Sequence, residues 1–177
     1  VQMTPAVCML DNQKSKKRKC LEGYALNISG LLPETSESEC KTAASAVLSP
    51  LQAKVVARVM PDENARIQLW HAIGGCVPMN ASQYFRTVIN YAERLKVPTE
   101  LTSPENRTMH VTNLRLQFLR LNPAMPVSAI KFNCASVNGT PILTEVKLCY
   151  KPNGQYKQCS TIVETNCPNS FTIKGSY

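Results

Sequence analysis

The sequence predicts an α+β fold in which helices pack with a central antiparallel sheet held by four disulfides. Three observations predict it. Strand-like segments stand at the two ends of the chain and helical ones in the middle, without a regular βαβ alternation. Eight cysteines occur at wide spacing with no Cys-x-x-C pair, which favours disulfides over a zinc ribbon or a thioredoxin-like site. The 177 residues, 44% hydrophobic and 18% charged, suffice for one core-bearing domain spanning 1–177. No run of about 18 consecutive apolar residues occurs, so a membrane-spanning helix is excluded.

The elements follow in order. Val1 to Cys8 reads as a strand. Residues 11–19 are polar and crowded with Lys14, Lys16, Lys17, Arg18 and Lys19, as in an exposed loop. Gly23 to Gly30 reads as a second strand, ended by Leu31-Leu32-Pro33. Thr42 to Met60 is helical in composition, with Pro50 tolerated in the first turn of a second helix. Ala65 to Ile73 reads as a helix stopped by Gly74-Gly75. Ser82 to Leu95 is the clearest helix, because Tyr84, Phe85, Val88, Ile89, Ala92 and Leu95 recur at three- and four-residue steps. Asn113 to Leu121 reads as a helix capped by Thr112 and stopped by Asn122-Pro123. Val127 to Ala135, Ile142 to Lys151, Tyr156 to Val163 and Phe171 to Lys174 read as strands.

Eight cysteines allow 105 pairings. One pair follows locally. Lys151-Pro152-Asn153-Gly154-Gln155 is a turn signal, and Cys149 and Cys159 stand symmetrically about Gly154, so a hairpin there sets them opposite one another. The chain begins without a charged and then apolar leader, as expected of an exported protein whose signal peptide has been removed. Asn-x-Ser/Thr sequons start at Asn27, Asn80, Asn106 and Asn138, the pattern of a glycoprotein.

Twenty Lys and Arg against twelve Asp and Glu give +8, which points to RNA or another polyanion as a partner. The cluster Lys14, Lys16, Lys17, Arg18 and Lys19 is the candidate phosphate contact, since counterion release rewards clustered cations. It lacks interleaved aromatics, so base stacking is not expected there. The alternative is a solvated loop tip.

Two segments carry a resemblance. Leu26-Asn27-Ile28-Ser29-Gly30-Leu31-Leu32-Pro33 resembles the first signature of the ribonuclease T2 family, an apolar strand running into His-Gly-Leu-Trp-Pro. Gln68-Leu69-Trp70-His71-Ala72-Ile73-Gly74-Gly75-Cys76 resembles the second, His-Glu-Trp-x-Lys-His-Gly-x-Cys, with Trp70, Gly74 and Cys76 in register. Gln83-Tyr84-Phe85 follows as the family's Tyr-Phe does. The ending from Cys167 to Tyr177 looks like the tail of bacterial periplasmic members. The resemblance implies a ribonuclease T2-like fold and the pairs Cys8–Cys20, Cys40–Cys76, Cys134–Cys167 and Cys149–Cys159.

The resemblance also implies RNA cleavage by transphosphorylation, with one His as base, another as acid, and Glu and Lys stabilising the phosphorane. Such chemistry needs groups that exchange protons near the working pH and cations where charge develops. In this chain the first signature's His is Ser29 and its Trp is Leu32. The second signature's two His, Glu and Lys are Gln68, Ile73, Leu69 and Ala72. On a helix, 68, 69, 72 and 73 fall within an arc of about 140°, and His71 points some 130° from its centre. His110 has no counterpart in the family pattern. Trp70 is read either as a base-stacking group or as packing between helix and sheet. No metal or cofactor is implied.

These substitutions lead to the expectation of a non-enzyme: a catalytically inactive, secreted or periplasmic ribonuclease T2-like module that binds a protein partner, RNA or another polyanion. Ser29, Leu32, Gln68, Leu69, Ala72 and Ile73 would either line its groove or fill a collapsed one. The alternatives are an RNA-cleaving enzyme with catalytic groups relocated to His71 or His110, and a storage or structural protein.

Overall fold

The computed structural model describes residues 1–10, 17–35 and 38–176, so Lys14 and Lys16 of the basic cluster lie outside the described residues. The elements run β1 (Gln2–Met3), α1 (Thr4–Leu10), α2 (Arg18–Leu21), β2 (Leu26–Asn27), α3 (Pro50–Val56), α4 (Glu63–Ile73) and α5 (Ala81–Arg94). They continue with β3 (Arg107–His110), α6 (Val111–Leu121), β4 (Ile130–Val137), β5 (Thr140–Leu148) and β6 (Ser170–Ile173). The chain divides into two compact units, residues 1–27 with 95–177, and residues 28–94.

The first unit holds the sheet. Its strand order is β2-β1-β5-β6-β3, with β4 also paired to β5. β4 and β5 form the longest ladder, from Ile130 opposite Leu148 to Val137 opposite Thr140, interrupted by an irregularity between Asn133 and Cys134. The α+β class is the one the sequence predicts, although β5 and β6 run parallel, with Ile142 opposite Thr172. The core beneath is built on Phe118, Phe132 and Phe171, all at most 1% exposed. Their ring centroids lie 6.3 Å (Phe118–Phe132) and 6.4 Å (Phe132–Phe171) apart. The buried Asn122 closes the C-terminus of α6. Its amide nitrogen donates to Lys96 O at 2.8 Å and Phe118 O at 2.9 Å, and its oxygen accepts from Lys96 N at 3.0 Å.

The second unit is helical. Ser49 caps α3 by accepting from Gln52 N, with Pro50 in the first turn. Val56, Met60, Trp70, Tyr84, Phe85 and Val88 form its core. The α5 positions Tyr84, Phe85 and Val88 are buried, as the helical spacing predicts.

Four disulfides are present: Cys8–Cys20, Cys40–Cys76, Cys134–Cys167 and Cys149–Cys159. They are the pairs the resemblance implies.

Several expected elements differ. Val1 to Cys8 is a two-residue strand followed by α1, because Pro5 sits in a first helical turn, where its missing N–H costs nothing. Residues 42–49 are irregular, and helix begins only at Pro50. Tyr156 to Val163 is not a strand: beyond the single bridge Tyr150–Tyr156, its Ser160 and Val163 carbonyls accept from Lys131 Nζ at 3.2 and 2.7 Å instead of joining a ladder. His110 rather than Thr112 caps α6, its Nδ1 accepting from Thr112 N at 3.2 Å. β3, which the sequence reading missed, has no buried side chain and is held by pairing Arg107 to His110 with Ile173 to Ser170.

Phe132→Ala should cost about 3–5 kcal/mol through the lost burial and the cavity left between its two ring partners. That corresponds to a fall in Tm of roughly 10 °C for a chain of this size. Thermal unfolding followed by circular dichroism measures it, and a fall below about 3 °C contradicts this assignment of the core.

Candidate functional site

The two signature-like segments, about 40 residues apart in the chain, meet within residues 28–94. The first opens on β2 and runs on beyond it as an extended stretch. Ile28 N donates to Val59 O at 2.8 Å. Three residues on, the Tyr84 hydroxyl accepts from Leu31 N and donates to Leu31 O, both at 2.9 Å. Tyr84 is 1% exposed, so α5 supplies a buried hydroxyl that satisfies both polar groups of one backbone residue. Sequence reading placed Tyr84 in the core but gave no sign of this bond, since its partner lies 53 residues away.

Between Ile28 and Leu31, Gly30 has φ +144, a region essentially reserved for glycine. A Cβ at Gly30 would stand 2.6 Å from Leu69 Cδ2 and 3.3 Å from the Tyr84 hydroxyl. The first segment is therefore seated on Leu69 of α4.

The second segment is fixed by its own backbone and by the 40–44 stretch. The Trp70 indole N–H donates to Ala44 O at 3.1 Å, and Thr42 N donates to His71 O at 2.9 Å. Gly75 N donates to Cys40 O at 2.8 Å beside the Cys40–Cys76 bridge. A Cβ at Gly75 would lie 2.7–2.8 Å from the carbonyl oxygens of Lys41 and Cys40, which are backbone atoms with no room to yield.

The singled-out residues are distributed as follows. Ser29 is half-buried, and Leu32 is 68% exposed. On α4, Gln68 and Ala72 are exposed, Leu69 and Ile73 half-buried, and His71 exposed. Trp70 is 1% exposed and its ring lies 5.7 Å from that of Tyr84, which corrects its reading as a base-stacking group: its flat face is consumed by packing. The described part of the basic cluster belongs to the other unit. There Lys17 is exposed, Arg18 pairs with Glu22, and Lys19 Nζ donates to Gln2 Oε1 at 3.0 Å. His110 is exposed at the start of α6, also in that unit. Among the described residues no three His, Cys, Asp or Glu side chains gather as metal ligands.

Chemically, the two segments carry the Ser29 hydroxyl, the Gln68 amide and the exposed apolar surface of Leu32. These groups can hydrogen-bond and cover a flat ligand.

No family model matches this chain, and neither does any curated protein. Among solved structures it is similar to the crystal structure of Japanese pear S3-RNase, with a TM-score of 0.69 and 19% sequence identity. The match covers 96% of this chain and 94% of that one. The fold is thus ribonuclease T2-like. This likeness overturns the expectation of a non-enzyme drawn from Ser29, Gln68, Leu69, Ala72 and Ile73, because the fold is shared with a protein named as a ribonuclease. Titratable side chains missing from five positions leave exposed imidazoles, His71 and His110, elsewhere on the same scaffold.

Two predictions follow from the Tyr84 clamp. Burial pushes the Tyr84 phenol up to about 12, against the opposing hydrogen bond to the Leu31 backbone. An unfolded chain ionises this group near 10, so the stability it contributes is complete below pH 10 and lost as pH rises from 10 towards 12. Tyr84→Phe should flatten that alkaline loss. At pH 7 it should cost about 1–3 kcal/mol, because the Leu31 N–H and C=O are left without their partner. Urea unfolding at pH 7 and pH 11 measures both effects, and an unchanged alkaline slope contradicts the first. Gly30→Ala should cost about 1–3 kcal/mol, chiefly from its φ, since the Leu69 methyl can swing aside. The same urea titration at pH 7 reads it, and a loss below about 0.5 kcal/mol means the segment relaxes.

Proposed function

We propose that this chain is a single-domain, ribonuclease-related protein that binds RNA outside the reducing interior of the cell, secreted or periplasmic. The observation that carries the reading is the seating of Gly30 on Leu69 with Leu31 clamped by Tyr84. It gathers the two segments whose counterparts in the ribonuclease T2 family handle RNA, on a fold shared with a ribonuclease. Ser29 and Gln68 supply hydrogen bonds to a phosphate or base edge, each worth about 0.5–1.5 kcal/mol net. Leu32 lies against a base. Lys14, Lys16, Lys17, Arg18 and Lys19 add phosphate contacts. The four disulfides fit an oxidising compartment, and no helix among the described residues is long and apolar enough to cross a membrane.

A second reading, RNA cleavage with relocated groups, is favoured by the exposure of both imidazoles.

Sugar on the sequons is part of the same exported reading. Asn27 is 6% exposed, and its side chain is bonded to Thr4 and Gln2. Asn80, Asn106 and Asn138 are exposed.

Fluorescence anisotropy with labelled single-stranded RNA tests the main reading. The protein should bind, with affinity falling steeply between 50 and 200 mM salt. Leu32→Ser combined with Gln68→Ala should weaken binding by about 10-fold. Lys17→Gln, Arg18→Gln and Lys19→Gln together should lower the salt slope by up to about 2, at roughly 0.7 per phosphate contact. No RNA binding, or selective capture of a protein partner at this face, overturns it. Loss of RNA cleavage in His71→Gln or His110→Gln supports the second reading, and cleavage equal to the unsubstituted protein in both removes it.

A further inference from the structure

The hairpin after β5 carries groups that this reading leaves unused. Tyr150 and Tyr156 form an isolated antiparallel bridge, and their rings stack with centroids 5.0 Å apart and planes at 28°. Buried Cys149 and Cys159 staple the base of the hairpin. At its tip Lys151 N donates to Gln155 O at 2.7 Å, and the Asn153 side chain accepts from Gln155 N at 3.0 Å. A ring pair on so short and stapled a loop loses little freedom when a ligand settles on it.

A lysine directly follows each tyrosine. Lys151 is exposed, while Lys157 and both tyrosines are half-exposed. No Asp or Glu occurs from Cys149 to Val163. The charge of the whole chain converges on this unit. Residues 1–27 and 95–177 carry 14 Lys and Arg against 6 Asp and Glu, hence all of the +8, whereas residues 28–94 carry six of each. Cross-strand packing accounts for two stacked tyrosines, a pair worth about 0.5–1.5 kcal/mol. In sequence a lysine also follows each tyrosine, on a loop free of acidic residues.

We propose that the Tyr150–Tyr156 hairpin is a second contact for single-stranded RNA: a base stacks on the tyrosine pair, and adjoining phosphates meet the ammonium groups of Lys151 and Lys157. Aromatic rings interleaved with cations are the arrangement that holds single strands with little sequence preference. The inference rests on RNA being the ligand, as proposed above.

The test uses the full chain and a labelled 12-nucleotide oligouridylate. Tyr150→Leu keeps apolar bulk but removes the ring, and should weaken binding about 5-fold or more. Lys151→Gln with Lys157→Gln should reduce the salt slope by about 1.4. If both variants fold and bind as the unsubstituted protein does, while Leu32→Ser with Gln68→Ala still weakens binding, the hairpin proposal fails and the RNA reading stands. If the unsubstituted protein binds no oligouridylate, both fall. Should Tyr150→Leu not fold, photocrosslinking of a 5-bromouracil oligonucleotide to the unsubstituted protein decides. Adducts on Tyr150 or Tyr156 support the proposal, and adducts confined to other peptides overturn it.

Discussion

The Tyr84 hydroxyl is the constraint on which the candidate site depends. The chain at 28–33 has almost no ladder of its own, so its backbone must be satisfied by side chains or water. One buried phenol takes both polar groups of Leu31, and its ring packs between Trp70 and Phe85. The same contact therefore binds α5 to α4 and both to the extended segment. With Leu31 fixed, Gly30 falls on Leu69, and Ser29 and Leu32 flank the contact on either side. The positions of all these groups follow from a hydrogen bond between residues 53 apart.

How much of this was legible depended on whether the signal was local. The α5 stripe was plain, because a helix with one buried face repeats at its own period. The Cys149–Cys159 bridge was plain as well, since a turn at Gly154 sets its two ends opposite. β3 was hidden: none of its four side chains is buried, and its pairing comes from β6, 60 to 66 residues later. Tyr156 to Val163 misled because its β-branched composition is strand-like, while Lys131 takes the carbonyls of Ser160 and Val163. Val1 to Cys8 misled because its apolar residues fit a strand, yet Pro5 suited a first helical turn equally well.

The contact between the two signature-like segments was legible in outline. Spacing matched Ser29 and Gln68 to signature positions, and the fold brings their segments together through Gly30 and Leu69. What spacing could not supply was the consequence for activity. Removing ionisable groups from particular positions describes those positions only, and a scaffold shared with a ribonuclease keeps other proton carriers at its surface. Trp70 shows a related limit. An aromatic residue in a signature can stack on a ligand or on its neighbours, and its 1% exposure agrees with packing, the reading the sequence favoured.

The clamp made by Asn122 has a chemical side. Asparagine amides age by attack of the following residue's backbone nitrogen, which must give up its hydrogen to close a succinimide ring. Asn122 precedes Pro123, whose nitrogen has no hydrogen to give. The one side chain that ties Lys96 to the end of α6 is thus shielded from spontaneous conversion to aspartate, whose charge would be buried there. The exposed Asn138 at the β4–β5 turn and Asn153 at the following hairpin, each followed by a glycine, have no such shield. Covalent wear by this route would therefore begin at those two turns and spare the buried Asn122.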